Sequence, residues 1–225
     1  MKNKSEIAFI IQGRLNSTRL PKKMIKKFKN GKCLLEIAIE KFCDNLEIPN
    51  EQVYVSVGEK ELIDIAEKYP VNIYKRSKKS FLFENNLKDI FEWHKDLSKK
   101  FKYYFMINAC APLLTNDTIN SFLNHYIESK FDGLFGVIEK RSIAWNSNLE
   151  IIGNNSSGTL NTKHANKIYL PGHILYAGKI ENIEKNIHMG TFLKTNDPEL
   201  FIIHNELECW DIDYDWQFQV ANSII

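Results

Sequence analysis

Two short stretches concentrate the side chains that can do chemistry. The first, GRLNSTRLPKKMI, places Arg14, Ser17, Arg19, Lys22 and Lys23 directly after the apolar run IAFII. Several cations in a loop beyond a strand suit a polyanion such as a triphosphate. Arginine offers a planar fork to phosphate oxygens, lysine a movable point charge, and loop amides and helix N-termini already favour anions. The same cations also suit an ordinary solvated surface, and the local pattern leaves both readings open. The loop carries neither a Walker signature nor GxGxxG.

The second stretch is CWDIDYDWQ, with Asp211, Asp213 and Asp215 within five residues. In an extended segment Asp211 and Asp213 point to one side, because side chains alternate with period two. Two carboxylates on one side can bind a hard cation such as Mg²⁺, which takes oxygen ligands and works beside phosphates. The competing reading is a helix start, with Asp213 as N-cap and Asp215 in the first turn. That reading leaves Asp211 unexplained. Together, a cationic loop and an acidic pair suit phosphoryl or nucleotidyl transfer, where positioning and charge neutralisation supply most of the catalysis.

The elements that must position these residues follow from the hydrophobic pattern. IAFIIQ, QVYVSV, VNIYKR, YYFMINA and DGLFGVIE read as strands. Between them lie helical stripes: Leu35, Ala38, Ile39, Phe42 and Leu46; then Leu62, Ile65, Ala66 and Tyr69. A third stripe, in NNLKDIFEWHKDLSKK, joins Leu87, Ile90, Phe91, His94 and Leu97 as one helix, and a fourth joins Ile119, Phe122, Leu123, Tyr126 and Ile127. Strands alternating with helices predict a mostly parallel open sheet with helices on both faces. Residues 139–170 break the rhythm and read as a hairpin, arm or long loop within a single domain spanning 1–225. Order returns with GHILYAGK, LFIIHN and a last helix, YDWQFQVANSI.

Composition bounds the alternatives. The 225 residues are 44% hydrophobic and 26% charged, with a formal net charge of +2. A balance this near neutrality argues against nucleic acid as partner. Cys33, Cys43, Cys110 and Cys209 lie far apart without CxxC spacing, as free thiols do in a reducing compartment. The apolar run after MKNK is too short for a signal peptide, and no run reaches membrane-spanning length. A cytoplasmic protein is the expectation.

The motifs, taken in order, resemble those of the cytidylyltransferases that activate acidic sugars, the acylneuraminate (CMP-sialic acid) and CMP-KDO synthetases. IIQGRLNSTRLPKKMI is similar to that family's opening pattern, Arg-x-x-Ser-x-Arg-Leu-Pro-x-Lys, with Arg14, Ser17, Arg19, Leu20, Pro21 and Lys23 in place. MINACAPLL stands where the family has a Gln-Pro-Thr-Ser-Pro-Leu type strand end. YLPGHILYA resembles an Asn-Gly-Ala-Ile-Tyr type strand, and DIDYDWQFQVA the terminal Asp-Ile-Asp motif.

The resemblance implies a Rossmann-like nucleotidyltransferase fold with a small β-rich dimerisation arm, a homodimer, and a Mg²⁺-dependent transfer of CMP from CTP to an acidic sugar for surface glycans. It implies a nucleotide site of Gln12, Gly13, Arg14, Ser17, Lys23 and Arg76, with Arg14 and Lys23 catalytic beside the metal ligands Asp211 and Asp213. Asn108 would reach towards the acceptor. His173, at the start of a strand, is either a substrate contact or a core histidine. Cys110 reads as structural or pocket-lining, and Trp210 as core packing. Four departures stand out. Met24 replaces a common asparagine and Lys22 a glycine. Asn108, Ala109, Cys110 and Ala111 lack the family's hydroxyls, with Leu114 in place of an arginine, and VSVGEK lacks the usual aspartate. The departures at 108–114 leave open a small phosphonate or phosphate monoester as acceptor, and a non-catalytic nucleotide-binding relative remains a further alternative. A glycosyltransferase would need an acid at the mid-chain strand end, where MINACAP has none.

Overall fold

The computed structural model describes residues 1–81, 86–152 and 161–225. Its centre is a seven-stranded sheet. The strands are β1 (Ile7–Gln12), β2 (Val53–Val57), β3 (Asn72–Lys75), β4 (Tyr103–Asn108), β5 (Leu134–Arg141), β8 (Lys167–Lys179) and β9 (Glu199–Ile202), in the order β3-β2-β1-β4-β8-β5-β9. All are parallel except β8, which runs antiparallel to both β4 and β5. A mostly parallel α/β sheet is thus what the alternation of patterns predicted. The antiparallel β8 is the addition, because the return from the 139–170 region re-enters the sheet from the opposite end.

Continuous apolar strands are buried on both faces here, as parallel strands are. Alternate residues of β1 enter two different cores: Ile7, Phe9 and Ile11 join one, Ala8 and Ile10 the other. Helices α1 (Leu34–Cys43), α2 (Lys60–Ala66), α5 (Asn116–Glu128) and α7 (Asp215–Ile224) cover the first face. Phe9, Phe42, Phe105 and Phe122 pack there edge-on or tilted at 5.3–6.0 Å, contacts worth about 0.5–1.5 kcal/mol each beyond burial. On the second face lie α3 (Leu87–Ile90), α4 (His94–Leu97) and α6 (Ile180–Ile183).

Three helix readings are corrected. Leu46, expected on the buried stripe of α1, is fully exposed, because α1 ends at Cys43 and the next turn leaves the helical register. The single helix expected from NNLKDIFEWHKDLSKK is two one-turn helices, α3 and α4, separated by a break at Phe91 (φ −105°, ψ 45°). The break lets Phe91 and Trp93 both enter the second core; residue 85, the first of that stretch, lies outside the described residues. Asp213 is not the N-cap of the last helix: Tyr214 is, and Asp215 is the first helical residue.

Within 139–170, β5 extends to Arg141 and β8 begins at Lys167, so both ends belong to the main sheet. Between them β6 (Ala144–Trp145) and β7 (Ile151–Ile152) pair antiparallel as a small hairpin. The Asn/Ser/Gly-rich part of this loop, 153–160, lies outside the described residues. No helix among the described residues is long and apolar enough to cross a membrane.

Candidate active site

The carboxyl ends of β1, β3 and β4 open into a cavity of about 710 Å³, the place where parallel α/β sheets bind ligands. The loop after β1 forms one wall, contributing Gln12, Gly13, Arg14, Ser17, Arg19 and Lys23. The loop folds on itself through its own backbone: the Leu15 carbonyl accepts from the amides of Ser17 (2.8 Å) and Lys22 (3.1 Å). Lys22 sits at φ +58°, in the left-handed region. This position is the glycine of the resembling family, and its geometry gives the reason: only glycine enters that region without steric cost.

The acidic segment closes over the loop. Ile212 is fully buried, so its neighbours Asp211 and Asp213 turn away from the core, as period-two alternation predicts. The Ile212 amide donates to the Cys110 carbonyl at 2.9 Å, fixing this segment to the end of β4. Lys23 Nζ donates to the Ile212 carbonyl (2.5 Å) and to Asp213 Oδ1 (2.9 Å), while Arg19 pairs with Asp213 Oδ2 at 2.7 Å. Asp213 therefore holds two cations of the loop, Arg19 and Lys23, in place, Lys23 from 190 residues away in sequence. Burial draws the Lys23 ammonium down, but the Cys110 sulfur and Asp213 outweigh it and its pKa ends above the ordinary lysine value.

Asp211 stands differently. Its Oδ1 is buried with no hydrogen-bond partner among the described residues. Burial, and then repulsion from Asp213, push its pKa up, with Lys23 and the Asn108 side chain acting the other way. A buried carboxylate oxygen without a donor is costly unless something completes it. Asp211 and Asp213 thus fit an oxygen-seeking divalent cation, though no group of three or more metal-ligating side chains exists among the described residues. Further ligands would have to come from phosphate or water, as Mg²⁺ sites commonly arrange. Asp215 is exposed and ion-pairs with Lys26, apart from this site.

The remaining expected residues fall in distinct places. Arg76 lines the cavity but is deeply engaged with protein: Nε donates to Ser80 Oγ (2.8 Å), and its terminal nitrogens to the carbonyls of Ser80 (2.7 Å) and Gly13 (3.2 Å). Burial lowers its pKa to about 10, with Glu59 supporting the charge and Arg14 opposing it. Arg14 is likewise lowered, by burial first. Asn108 lies on the cavity wall with its side chain tied to Cys110 N (2.9 Å) and the His173 carbonyl (3.0 Å). His173 is exposed, at φ +54°, with its ring against Phe135, so it is not a core histidine; it and Asp211 stand outside the cavity lining. Cys110 lines the cavity, its thiol pushed up to about 11 by burial, which keeps it protonated at neutral pH. Trp210 packs against the first core and donates Nε1 to the Gln217 carbonyl at 3.0 Å.

A second wall was invisible in the sequence. Phe91, Met106, Tyr176 and His188 line the cavity from the second face of the sheet. His188 Nδ1 lies 2.6 Å from the Tyr104 hydroxyl, and its ring stacks on Tyr104 and Tyr176 at 5.4 and 5.2 Å. Burial drops its pKa to about 4, so the imidazole is neutral. Gly178 makes room: a Cβ there would meet the Tyr104 hydroxyl at 2.7 Å and the His188 carbonyl at 3.0 Å. Phe91, Met106 and Tyr176 carried a sequence signal only as members of an apolar helix stripe or strand; His188 sits in a loop with no periodicity.

A cationic loop held by an acidic segment at the carboxyl edge of this sheet defines a nucleotidyltransferase-like α/β protein. The cytidylyltransferase family matches residues 8–210, and the chain belongs to that family. Among solved structures it is similar to CMP:2-keto-3-deoxy-manno-octonic acid synthetase complexed with CTP (10% identity, 98% of each chain, TM-score 0.67). It is also similar to 4-diphosphocytidyl-2C-methyl-D-erythritol synthase from Anaerococcus prevotii (16%, 99% of each chain, TM-score 0.66). A third is a cytidylyltransferase from Leptospira borgpetersenii (15%, 97% of this chain and 85% of that one, TM-score 0.59). No curated protein sequence matches. At these identities the structures share the fold, while the activity class, cytidylyl transfer, comes from the family.

Proposed function

We propose that this protein transfers CMP from CTP to an acidic sugar of the nonulosonate or sialic-acid type, releasing pyrophosphate, for surface glycan biosynthesis. The observation that carries the reading is the joining of Arg19 and Lys23 to Asp213, with Asp211 and its unpartnered oxygen alongside. Arg14, Arg19 and Lys23 bind the triphosphate, each charge-assisted contact contributing about 1.5–3 kcal/mol. Arg76 anchors Gly13 at the root of the loop, which fixes where the phosphates lie. Gln12 and Ser17 add polar contacts from the same wall. Asn108, its amide already oriented, faces the acceptor. An acceptor oxygen attacks the α-phosphorus, the bond to the bridging oxygen breaks, and pyrophosphate leaves. Asp211 and Asp213 hold Mg²⁺, whose chemistry when bound is to neutralise charge at the phosphates. The exposed apolar residues Trp145, Ile151 and Ile152 of the small hairpin, with Tyr169 and Leu170 at the start of β8, support a homodimer.

The test is pyrophosphate release from CTP, UTP, ATP and GTP with 2-keto-3-deoxy-manno-octonic acid, N-acetylneuraminic acid and 2C-methyl-D-erythritol 4-phosphate. CTP with one of the acids supports the reading. Release with the phosphate monoester alone would transfer it to a phosphate acceptor, the reading favoured by similarity to the erythritol synthase. Equal use of UTP would remove the cytidylyl assignment.

A further inference from the structure

Glu59 follows β2 and precedes α2, in the N-cap position, yet its side chain makes no capping bond to that helix. It reaches the phosphate loop instead. Oε1 accepts from the Leu15 amide at 2.8 Å, across 44 residues of sequence. Leu15 is the pivot of the loop, since its carbonyl gathers the amides of Ser17 and Lys22 just before Lys23. The same carboxylate is an opposite charge to both Arg14 and Arg76, which repel one another. Oε2 is buried with no hydrogen-bond partner among the described residues. The side chain gives α2 no capping hydrogen bond, whereas the loop uses it twice, as an acceptor and as a charge.

We infer that Glu59 is a positioning residue for nucleotide binding: it fixes the Leu15 pivot and sets Arg14 against Arg76, so that the loop meets CTP already shaped. The inference rests on the reading of this loop as the triphosphate site. It makes a prediction opposite to that of simple electrostatics. Removing a negative charge beside a polyanion site should tighten binding if the charge is only a counterweight. Removing a support should weaken it, because the ordering cost then falls on the binding step.

The experiment is calorimetric titration of CTP with MgCl₂ into wild type, Glu59→Gln, Glu59→Ala, Arg14→Ala and the Arg14→Ala/Glu59→Gln double variant, with thermal melts of each. Glu59→Gln should weaken CTP roughly tenfold, Glu59→Ala further, and Glu59→Gln should add little in the Arg14→Ala background, the signature of residues acting as one unit. Leu15 amide exchange should quicken in Glu59→Ala. Should Glu59→Ala fail to fold, the near-isosteric Glu59→Gln series decides alone. Equal or tighter CTP binding by Glu59→Gln, or the same loss in both backgrounds, overturns the inference while leaving the loop assignment intact if Arg14→Ala is weakened. Unchanged binding by Arg14→Ala overturns both.

Discussion

The two walls of the cavity are built on different physics. The wall from the loop after β1 is held by charge: Arg19 and Lys23 on Asp213, Arg76 on backbone carbonyls. The opposite wall is held by packing: His188 lies between Tyr104, Tyr176 and Phe91, with a polar contact to the Tyr104 hydroxyl. The charged wall suits the part of the reaction that all nucleotidyl transfers share, a triphosphate. The aromatic wall is neutral, and shape rather than charge sets what it accepts. Substitutions should therefore act on turnover at the first wall and on pH-dependent stability at the second.

The largest effect should come from Asp211→Asn. The amide keeps the shape but not the charge, and turnover should fall by roughly 100-fold or more, the scale of losing an electrostatic group aimed at the reacting centre. Melting temperature should hold or rise, because a buried negative charge repelled by Asp213 is removed. Full activity in this variant, measured as pyrophosphate release, would empty the acidic pair of its role. Lys23→Met is next. It keeps the buried stem but removes a cation, and the nucleotide Michaelis constant should rise by about 10- to 100-fold, following 1.5–3 kcal/mol for a charge-assisted contact. A normal Michaelis constant would mean that Lys23 only braces Asp213.

At the aromatic wall the measurement is stability against pH. His188 has a folded pKa of about 4, below its ordinary 6.5. The unfolded chain then binds the proton more readily between these values, so the stability from neutral His188 is present above pH 6.5 and lost as pH falls towards 4. Between pH 7 and pH 5 the wild type should lose about 2 kcal/mol relative to His188→Phe. Parallel denaturant curves for the two proteins at both pH values test it; an identical fall in both would place the imidazole in water. The smallest effect should be Lys22→Gly. Relieving the left-handed conformation should raise stability by about 0.5–1 kcal/mol, or roughly 1–4 °C in melting temperature. A lower melting temperature would show that the lysine side chain outweighs its backbone strain.

Some of this was legible before folding. Period-two and helical patterns identify the strands and most helices, because burial on a sheet or helix face leaves a period in the sequence. The failures are local and physical. Phe91 is pulled inward by the second core, so the pattern of a single helix survives a break in it. Leu46 is apolar but stands beyond the end of α1. Reading Asp213 as a helix cap was reasonable locally, and the cap fell instead to Tyr214 because Asp213 is engaged by two cations from the far end of the chain.

By itself the sequence determined the alternation of elements, the cationic loop and the acidic pair, because each is a local pattern of residue types that can be read without knowing its neighbours in space. Tertiary structure alone decided which cations meet which acids, that Glu59 serves the loop rather than its own helix, and that His188 lies on the cavity wall. Those pairings join residues as far apart as 44, 84 and 190 positions. No periodicity carries such information; it exists only once the sheet order β2-β1-β4-β8 sets those segments side by side.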